Sequence, residues 1–433
     1  MVPAPDDEAA IAELIAQGDE AGAFGRLRAR LGWPRGQEIA DVDLPRYLTL
    51  LGELAQRRGA TVLGELALAA RADLDSPDRL YVLGYALIDA GAPAIAASIL
   101  WRCLRLVGDS EEVVCELVSA LESALAYGDA LAVLEDHGPL RARSFLCRYL
   151  YAFNAAMAGR LDLTRAALPA LAPESPDNEL MQDTIAAIVA RADRVAGVTP
   201  LDARDLRGWH YVLTGGLVTH QSPYGFDEPM HGRYAWLADS LDRVATGLAR
   251  VLPLARALDV PCVYAPPGRG HAIVAAAAAA KLDVPVAPWP AVGVPAPGLV
   301  VIYDLADVAI ADVQRLVQRR EGQLLFAHAS PWTSDCPIAP DVTTLLYQSL
   351  VAPWGQSLIV DPDTREVTQS VEDTREVDAI AADIVASKGL DAAELVADEL
   401  ARWEALVART WPPEPGPRSR LWAGGPVPSN RFE

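Results

Sequence analysis

The chain has 433 residues, of which 51% are hydrophobic and 22% charged, a composition that predicts a globular protein of two or three domains. Its formal net charge is −21, and this acidity excludes the classes of protein that bind nucleic acid or anionic membranes through clustered Lys and Arg. We therefore expect neither a nucleic acid nor a membrane as a partner.

The N-terminal segment and the cysteines indicate the compartment. The first twenty residues are acidic and lack the basic and apolar stretches of a secretory signal, and no apolar stretch is long enough to cross a membrane. The five cysteines are widely spaced and form no CxxC pair. We expect a reduced, cytoplasmic protein without a disulfide framework or a cysteine-based zinc site.

Residues 8 to 195 carry apolar side chains at helical spacing, interrupted by short Gly, Pro and Asp clusters. This pattern predicts a domain of αα-hairpins over residues 1–198. One hairpin is marked by small and apolar residues at fixed offsets, namely Leu80, Leu83, Gly84, Leu87, Gly91, Ala96, Leu100, Cys103 and Gly108. Similar offsets precede and follow Gly159. A weaker copy lies between Val114 and Leu134, shifted by an insertion before Gly128.

These offsets resemble the tetratricopeptide repeat (TPR), a helical hairpin that stacks into a curved array. The resemblance implies a concave face that binds a peptide or another domain. The sequence leaves open whether this face takes a protein partner or packs as a scaffold against the rest of the chain.

After Pro200 short apolar runs alternate with helical stretches, which predicts an α/β domain with a mostly parallel sheet over residues 199–410. The fold class is therefore α followed by α/β. Strands are predicted at residues 211–213, 217–219, 260–265, 284–286, 299–303 and 323–327. Helices are predicted at residues 234–258, 271–282, 308–320, 379–387 and 392–409, and a hairpin at 358–369. The Pro- and Gly-rich tail, residues 411–433, is predicted to be an extended or disordered strap.

Three predicted strand ends carry candidate ligand groups, because parallel sheets bind ligands at the carboxyl ends of their strands. The first is Gly268-Arg269-Gly270-His271, where a strand leads into an Ala-rich helix. The free N–H groups of the helix start and the Arg269 guanidinium suit a phosphate or carboxylate, although a plain tight turn has the same composition. The second is Asp304, which suits a ligand hydroxyl, a metal-bound water or a general base, and equally a helix N-cap.

The third predicted strand end carries His328, followed by Ser330 and Trp332. Histidine titrates near neutral pH, so His328 is the candidate acid–base group, with Ser330 and Trp332 as substrate contacts. The alternative is a buried structural histidine.

Residues 214–234 combine Gly, Pro, aromatic and charged side chains without helical or strand periodicity. A long irregular segment of this kind is typical of a binding loop or lid, and we expect it to lie over the carboxyl edge of the sheet. Its candidate ligand contacts are His220, Tyr224, Asp227, His231 and Arg233. No HxH, HxxxH or HExxH spacing occurs, so no metal site is assigned.

Residues 205–355 resemble the type I phosphoribosyltransferase fold. The segment PPGRGHAIVAAAAAAKLDVPV (residues 266–286) is similar to the pyrophosphate loop and following helix of that family, and GLVVIYDLADV (residues 298–308) to its strand and loop for phosphoribosyl pyrophosphate (PRPP). Tyr303-Asp304 stands where the family has two adjacent acids, so the resemblance implies a remodelled pocket beneath an N-terminal hood.

Two hypotheses of function follow. In the first, the α/β domain binds a phosphorylated or nucleotide-like small molecule, with transferase activity carried by His328 and Asp304 and with the helical repeats as a scaffold. In the second, the repeats form a non-catalytic protein-interaction module beside an inert α/β half. Neither hypothesis assigns a cofactor.

Overall fold

The structure is a computed structural model that describes residues 7–173, 175–225, 230–360, 365, 367–429 and 431, with the side chains of residues 359 and 360 excepted. Contacts divide the chain into two compact units, Met1–Ile185 and Ala186–Glu433. The predicted class, helices followed by an α/β sheet, is confirmed.

The first unit is helical in its described residues. Its helices are α1 (Asp7–Gln17), α2 (Glu20–Leu31), α3 (Leu44–Arg57), α4 (Thr61–Ala72), α5 (Pro77–Asp89), α6 (Pro93–Val107), α7 (Glu111–Ser123), α8 (Tyr127–Asp136), α9 (Gly138–Arg143), α10 (Phe145–Met157), α11 (Leu161–Ala167) and α12 (Pro176–Arg194), the last of which extends across the boundary between the units.

Successive helices pack as hairpins, α5 on α6, α7 on α8 and α10 on α11. Ser76, Ser110 and Ser144 cap the first helix of each hairpin by accepting a hydrogen bond from a backbone N–H of its first turn. The three caps are spaced 34 residues apart, so the chain contains three consecutive repeats of equal length.

The turns inside the three hairpins are also spaced 34 residues apart. Gly91 (φ 74°), Leu125 (φ 59°) and Gly159 (φ 77°) all adopt left-handed backbone conformations. The expected insertion before Gly128 is therefore wrong: the middle copy is in register, and Leu125 replaces the glycine that would have marked it. Within the first repeat Gly84 allows α6 to approach closely, because a Cβ there would lie 2.5 Å from Cγ of Leu100.

The second unit contains a parallel sheet with helices around it. Its remaining helices are α13 (Leu206–Thr214), α14 (Leu241–Ala257), α15 (Arg269–Leu282), α16 (Ile310–Arg315), α17 (Val377–Ala386) and α18 (Glu399–Thr410). Its strands are β1 (Leu217–Val218), β2 (Tyr234–Ala238), β3 (Val263–Tyr264), β4 (Gly298–Asp304), β5 (Gln318–Arg319), β6 (Gln323–Pro331), β7 (Val342–Val351), β8 (Leu358–Val360), β9 (Val367–Gln369) and β10 (Gly416–Pro417).

Six of these strands form one parallel sheet in the order β1-β7-β6-β4-β3, with β2 also paired to β7. β4 and β6 are buried along their whole length, as central parallel strands require. The parallel arrangement brings the carboxyl ends of β2, β4, β6 and β7 to one edge, where the polar side chains described below lie.

Several predicted elements differ from the observed ones. Residues 211–213 belong to α13 rather than to a strand, because Asp205 caps a helix that ends at left-handed Gly215. Residues 234–238 form β2, and the helix begins only after Ser240. The helix predicted over 308–320 is shortened to α16 and followed by β5. β7 was not predicted, and β6 extends to Pro331, so His328 lies within a strand rather than after it.

The predicted hairpin near residue 360 is confirmed by the antiparallel pairing of β8 with β9, although residues 361–364 lie outside the described part of the chain. The described part of the tail is an extended strap. β10 pairs with β5, and Leu421 exchanges backbone hydrogen bonds with Cys336. Arg418 of the strap is fully buried and donates to both oxygens of Asp341. No helix within the described residues is long and apolar enough to span a bilayer.

Candidate functional site

A buried polar cluster, defined by Asp239, Arg243, Tyr303 and His328, lies at the carboxyl edge of the sheet. Asp239 follows β2 directly and is held by its own N–H, which donates to the carbonyl oxygen of Val351. Its Oδ2 accepts from His328 Nε2 and from the Tyr303 hydroxyl, both at 3.0 Å, and its Oδ1 accepts from Arg243 Nη1 at 3.3 Å. One carboxylate thus organises side chains from β4, β6 and α14.

Electrostatics keep Asp239 ionised. Burial alone would raise its pKa, but His328 and Arg243 lower the pKa below the ordinary aspartate value. Burial also raises the pKa of Tyr303 well above its ordinary value, and the neighbouring Asp239 carboxylate adds to the effect. The phenol therefore acts as a donor.

His328 is fully buried, and its ring stacks on Tyr303 at a centroid distance of 5.6 Å and an interplanar angle of 14°. In the neutral ring that donates from Nε2 to Asp239, Nδ1 carries a lone pair, and within the described residues Nδ1 has no hydrogen-bond partner. A carboxylate that orients an imidazole and leaves its second nitrogen free is an arrangement suited to proton transfer. The pairing with Asp239 meets the chemical requirement for the predicted acid–base role of His328, but the His328 side chain is buried beneath the protein surface.

Asp304, the other predicted catalytic residue, ends β4 and accepts from the Tyr347 hydroxyl at 2.6 Å. Burial raises its pKa to about 6, and the hydrogen bond from Tyr347 opposes that rise. Asp304 Oδ1 also accepts from the N–H of Ala306. Asp304 is therefore also an N-cap, which is the alternative role that the sequence suggested. Its titration near neutral pH leaves it able to act as an acid or a base.

Gly268 is the N-cap of α15, and residues 269–271 form its first turn, so the helix begins two residues before the predicted start at His271. Gly268 precedes the helix with φ 147°, and a Cβ there would lie 2.7 Å from the His271 ring. His271 Nδ1 accepts from the N–H of Tyr303 at 3.0 Å, which fixes its proton on Nε2. Burial lowers the pKa of His271, so the imidazole is neutral. This turn therefore touches the buried polar cluster directly.

The Arg269 guanidinium has backbone partners in the structure. Its Nη2 donates to the carbonyl oxygens of Asp373 and Arg375 at 2.8 and 2.7 Å, and its Nη1 is buried without a partner among the described residues. Arg269 thus ties the chain before α17 to α15.

An open depression of about 410 Å³ lies beside the same turn, at the carboxyl end of β3. Its wall is mostly apolar and is formed by residues 265–268, Ala272, Ala276, residues 286–289, Val377 and Asp378. Trp289 in this wall is held by a hydrogen bond from its Nε1 to Asp312 and by the Arg315 guanidinium over its ring.

The predicted lead-in segment reaches the buried polar cluster through His220. His220 is buried, and its Nε2 lies 2.7 Å from the Tyr234 hydroxyl, while its Nδ1 lies 3.4 Å from Glu399. The Tyr234 ring lies beside the Arg243 guanidinium at 5.6 Å, and Arg243 bonds to Asp239. The segment thus continues the polar network along the carboxyl edge.

The other predicted substrate contacts are dispersed. Tyr224 is exposed, half-buried His231 has an unpartnered Nδ1 among the described residues, and Asp227 lies outside the described part of the chain. Arg233 is buried and donates to the carbonyl oxygens of Val427 and Pro428.

The two predicted contacts around β6 are also buried. Ser330 pairs with Thr343 at 3.0 Å, and the Trp332 indole donates to the carbonyl oxygen of Tyr234. The structure thus brings together His328, Asp304, His271, His220 and the backbone of residues 268–270, whereas the Arg269 guanidinium bonds to the segment before α17 and the remaining candidates are dispersed.

Sequence reasoning missed Asp239, Arg243, Tyr347 and Glu399. Asp239 had one detectable signal, since Asp-Ser precedes an amphipathic helix and so marks a strand-to-helix junction. That signal was lost because residues 234–238 were assigned to the helix. Glu399 lies in the sequence far from His220 and gives no local signal.

No protein-family model matches the sequence, and comparison with curated proteins gives no significant match. Within the described residues no group of three or more His, Cys, Asp and Glu side chains is placed to hold a metal ion.

Proposed function

We propose that the second unit binds a phosphorylated or nucleotide-like small molecule at the turn between β3 and α15. The observation that carries this proposal is the open depression of about 410 Å³, which lies where a parallel strand ends and a helix begins. Ligands of parallel sheets bind at this edge. The volume falls in the range of small-molecule sites.

The chemistry of the wall fits such a ligand. α15 begins without a side-chain cap, so the N–H groups of its first turn are available to a phosphate, and the helix dipole favours negative charge there. Trp289 and the neighbouring alanines and prolines offer an apolar surface for a base or sugar face. Asp378 in the same wall suits a ligand hydroxyl.

The proposal extends to transferase activity. Gly270 in the first turn of α15 packs against Tyr303, which stacks on His328. The Tyr303 ring therefore separates the proposed phosphate site from His328, which is paired with Asp239, and Asp304 follows Tyr303. We assign the acid–base roles to His328 and Asp304, in keeping with the resemblance to a phosphoribosyltransferase whose pocket is remodelled.

Thermal-shift measurements on the full chain test the binding proposal. The probes are PRPP, nucleoside mono-, di- and triphosphates, sugar phosphates and the matching unphosphorylated nucleosides. At about 100 times its Kd a ligand stabilises the native state by about 2.7 kcal/mol, a rise of several degrees in Tm. We expect such a rise with at least one phosphorylated probe and a smaller rise with its nucleoside.

Two variants locate the site. Ala276→Leu fills the depression from a half-buried position and should abolish the shift, whereas Ala401→Leu adds the same side chain at an exposed position of α18 and should retain it. No shift with any phosphorylated probe, or an equal shift in both variants, would contradict the proposal.

The helical unit has a second candidate function as a protein-interaction module. Val82 and Tyr85 on α5 are 46% and 48% exposed. On the same helix Tyr81 interacts with the acidic side chains of Glu112 and Glu116 on α7, and the pKa of Glu116 is raised by burial and by nearby carboxylates. We propose that this face binds a basic peptide with apolar side chains, and that the unit is a TPR-like array.

Fluorescence anisotropy with labelled peptides tests this second proposal. Peptides that alternate Arg and Leu should bind the wild-type chain, and Tyr85→Ala should weaken binding about tenfold. Acidic peptides of the same length are the control. Equal binding of acidic and basic peptides would contradict it.

A further inference from the structure

We propose that Cys115 and Cys147 are a thiol modification site that closes to a reversible disulfide within the helical unit. Their Sγ atoms lie 3.9 Å apart, one on α7 and the other on α10 of the next repeat. Both thiols are free in the structure. This inference is independent of the small-molecule site proposed for the second unit.

The 34-residue repeat shows that this contact is a special feature of one interface. The positions equivalent to Cys115 and Cys147 in the preceding pair of helices are Tyr81 and Val113. Packing between successive first helices therefore does not require sulfur, yet both partners at the α7–α10 contact are cysteine.

The surroundings make one thiol of the pair acidic. Cys147 lies in the first turn of α10, where its N–H donates to Ser144 Oγ at 3.2 Å, and helix N-termini favour a thiolate. The hydrogen bond from Cys115 lowers the pKa of Cys147 to about 7, with a further contribution from Ser144. The same interaction and burial raise the pKa of Cys115. By contrast, burial raises the pKa of Cys103 to about 11.

Cys115 is the more accessible of the two cysteines, and Cys147 is the more acidic. Cys147 is fully buried, whereas Cys115 is half-buried and gives a small oxidant a route to the pair. A peroxide first oxidises the thiolate of the pair to a sulfenic acid and is itself reduced, releasing hydroxide. The sulfur of the remaining thiol then attacks the sulfenic sulfur, a disulfide forms, and hydroxide leaves and takes up the thiol proton as water. Overall, two thiols and one peroxide give one disulfide and two waters.

Mass spectrometry of the full chain tests this site. The chain is treated with a small excess of hydrogen peroxide, denatured, and alkylated with N-ethylmaleimide. We expect the number of alkylated cysteines to fall from five to three, and reduction with dithiothreitol before alkylation to restore five. Trypsin should release residues 106–141 joined to residues 144–148, because arginines flank both segments.

Matched variants separate the pair from the other thiols. Cys115→Ser and Cys147→Ser should each retain four alkylated cysteines after peroxide, whereas Cys103→Ser should fall from four to two. Cys115→Val serves if a serine at the interface prevents folding. The oxidised wild-type chain should also unfold at a Tm several degrees higher than the reduced chain, since the disulfide closes a loop in the unfolded state.

Three results would overturn the proposal. They are cross-linked peptides that contain other cysteines, sulfinic acid at Cys115 or Cys147 without a cross-link, and five alkylated cysteines after peroxide at concentrations that oxidise an exposed model thiol.

Discussion

The two units of the protein bury polar groups in very different ways. In the described part of the helical unit the buried polar side chains are neutral: Ser98, Ser144, Asn154 and Thr164. Every buried charged residue among those described lies in the second unit: Arg207, Arg233, Asp239, Arg243, Asp304, Asp341, Glu399 and Arg418.

The two units therefore differ both in what stabilises their fold and in the chemical groups that they bury. The helical unit repeats one apolar hairpin and is stabilised by burial of apolar surface. The second unit desolvates charges, which costs free energy unless each charge is paired. Buried and paired charges in one domain indicate either structural ion pairs, as at Asp341, or a functional site, as proposed near Asp239 and His328.

The largest expected effect comes from Asp341→Asn. Asp341 accepts from Arg319, Arg418 and the N–H of Leu325, and both Asp341 and Arg418 have fully buried side chains. Loss of the carboxylate leaves the Arg418 charge buried and uncompensated, so we expect the free energy of unfolding to fall by about 3–5 kcal/mol. Urea unfolding followed by tryptophan fluorescence measures this change.

An exposed ion pair in the same strap provides the control. Arg420 and Asp335 lie 2.7 Å apart with both side chains partly exposed to solvent. Asp335→Asn should lower the free energy of unfolding by less than about 1 kcal/mol. Equal effects of the two substitutions would contradict the assignment of the large cost to an uncompensated buried charge.

A pH-dependent effect is expected for Tyr347→Phe. The Tyr347 hydroxyl donates to Asp304, whose pKa burial raises to about 6. Above pH 6 the phenol bonds to a carboxylate, so its loss should cost about 2 kcal/mol at pH 8. At pH 5 Asp304 is protonated, and the loss should be about 1 kcal/mol.

Urea unfolding at the two pH values measures this difference, with the exposed Tyr224→Phe as the control. A cost for Tyr347→Phe that is the same at pH 5 and pH 8 would contradict the protonation assigned to Asp304.

In the described part of the helical unit Glu122 is a half-buried counterpart to these groups, and it accepts from Asn154 at 2.6 Å. Burial raises the pKa of Glu122 to about 7. Because this folded value lies above the unfolded value of about 4.3, the native state holds an extra proton between them. The resulting stabilisation is present below about pH 4.3 and is lost as the pH rises through 7.

We therefore expect the helices around Glu122 to lose about 2–3 kcal/mol of local stability between pH 5 and pH 8, and Glu122→Gln to remove most of that loss. Hydrogen exchange of α7 and α10, corrected for intrinsic rates, measures it in the full chain. A steep pH dependence that persists in Glu122→Gln would assign the proton to another group.

The order of elements could be predicted from sequence because it depends on local periodicity. The helical run, the apolar strand β4 and the start of α15 were predicted for this reason. β2 was missed because Tyr234–Ala238 is too short to display alternation before a long helix. β7 was missed because its first six residues are all buried and its last four mix polar and apolar side chains, so the strand shows no regular alternation.

The candidate site could be predicted only in part. Glycines, histidines and strand ends predicted the α15 turn, Asp304 and His328. The pairing of His328 with Asp239 could not be predicted, because the two residues are 89 positions apart and meet only through the order of strands in the sheet. Arg269 suited an anion in sequence, but its donors to residues 373 and 375 depend on a distant segment.

The smallest expected effect tests the regularity of the helical unit. Leu125 has φ 59° at the hairpin turn where Gly91 and Gly159 stand in the neighbouring repeats. A non-glycine residue in this conformation costs roughly 1 kcal/mol, which glycine avoids. Leu125→Gly should therefore raise the free energy of unfolding by about 0.5 kcal/mol, because the greater freedom of glycine in the unfolded chain offsets part of the gain.

The reciprocal change, Gly91→Leu, places no Cβ within 4 Å of another atom and so isolates the backbone cost. It should lower the free energy of unfolding by about 1 kcal/mol, and hydrogen exchange of the helices on either side of each turn measures both variants. If Leu125→Gly raises the free energy of unfolding and Gly91→Leu lowers it, the three hairpins share one turn geometry. A loss of stability in both would mean that the Leu125 side chain contributes packing that the repeat does not require, and the middle hairpin would then differ from its neighbours.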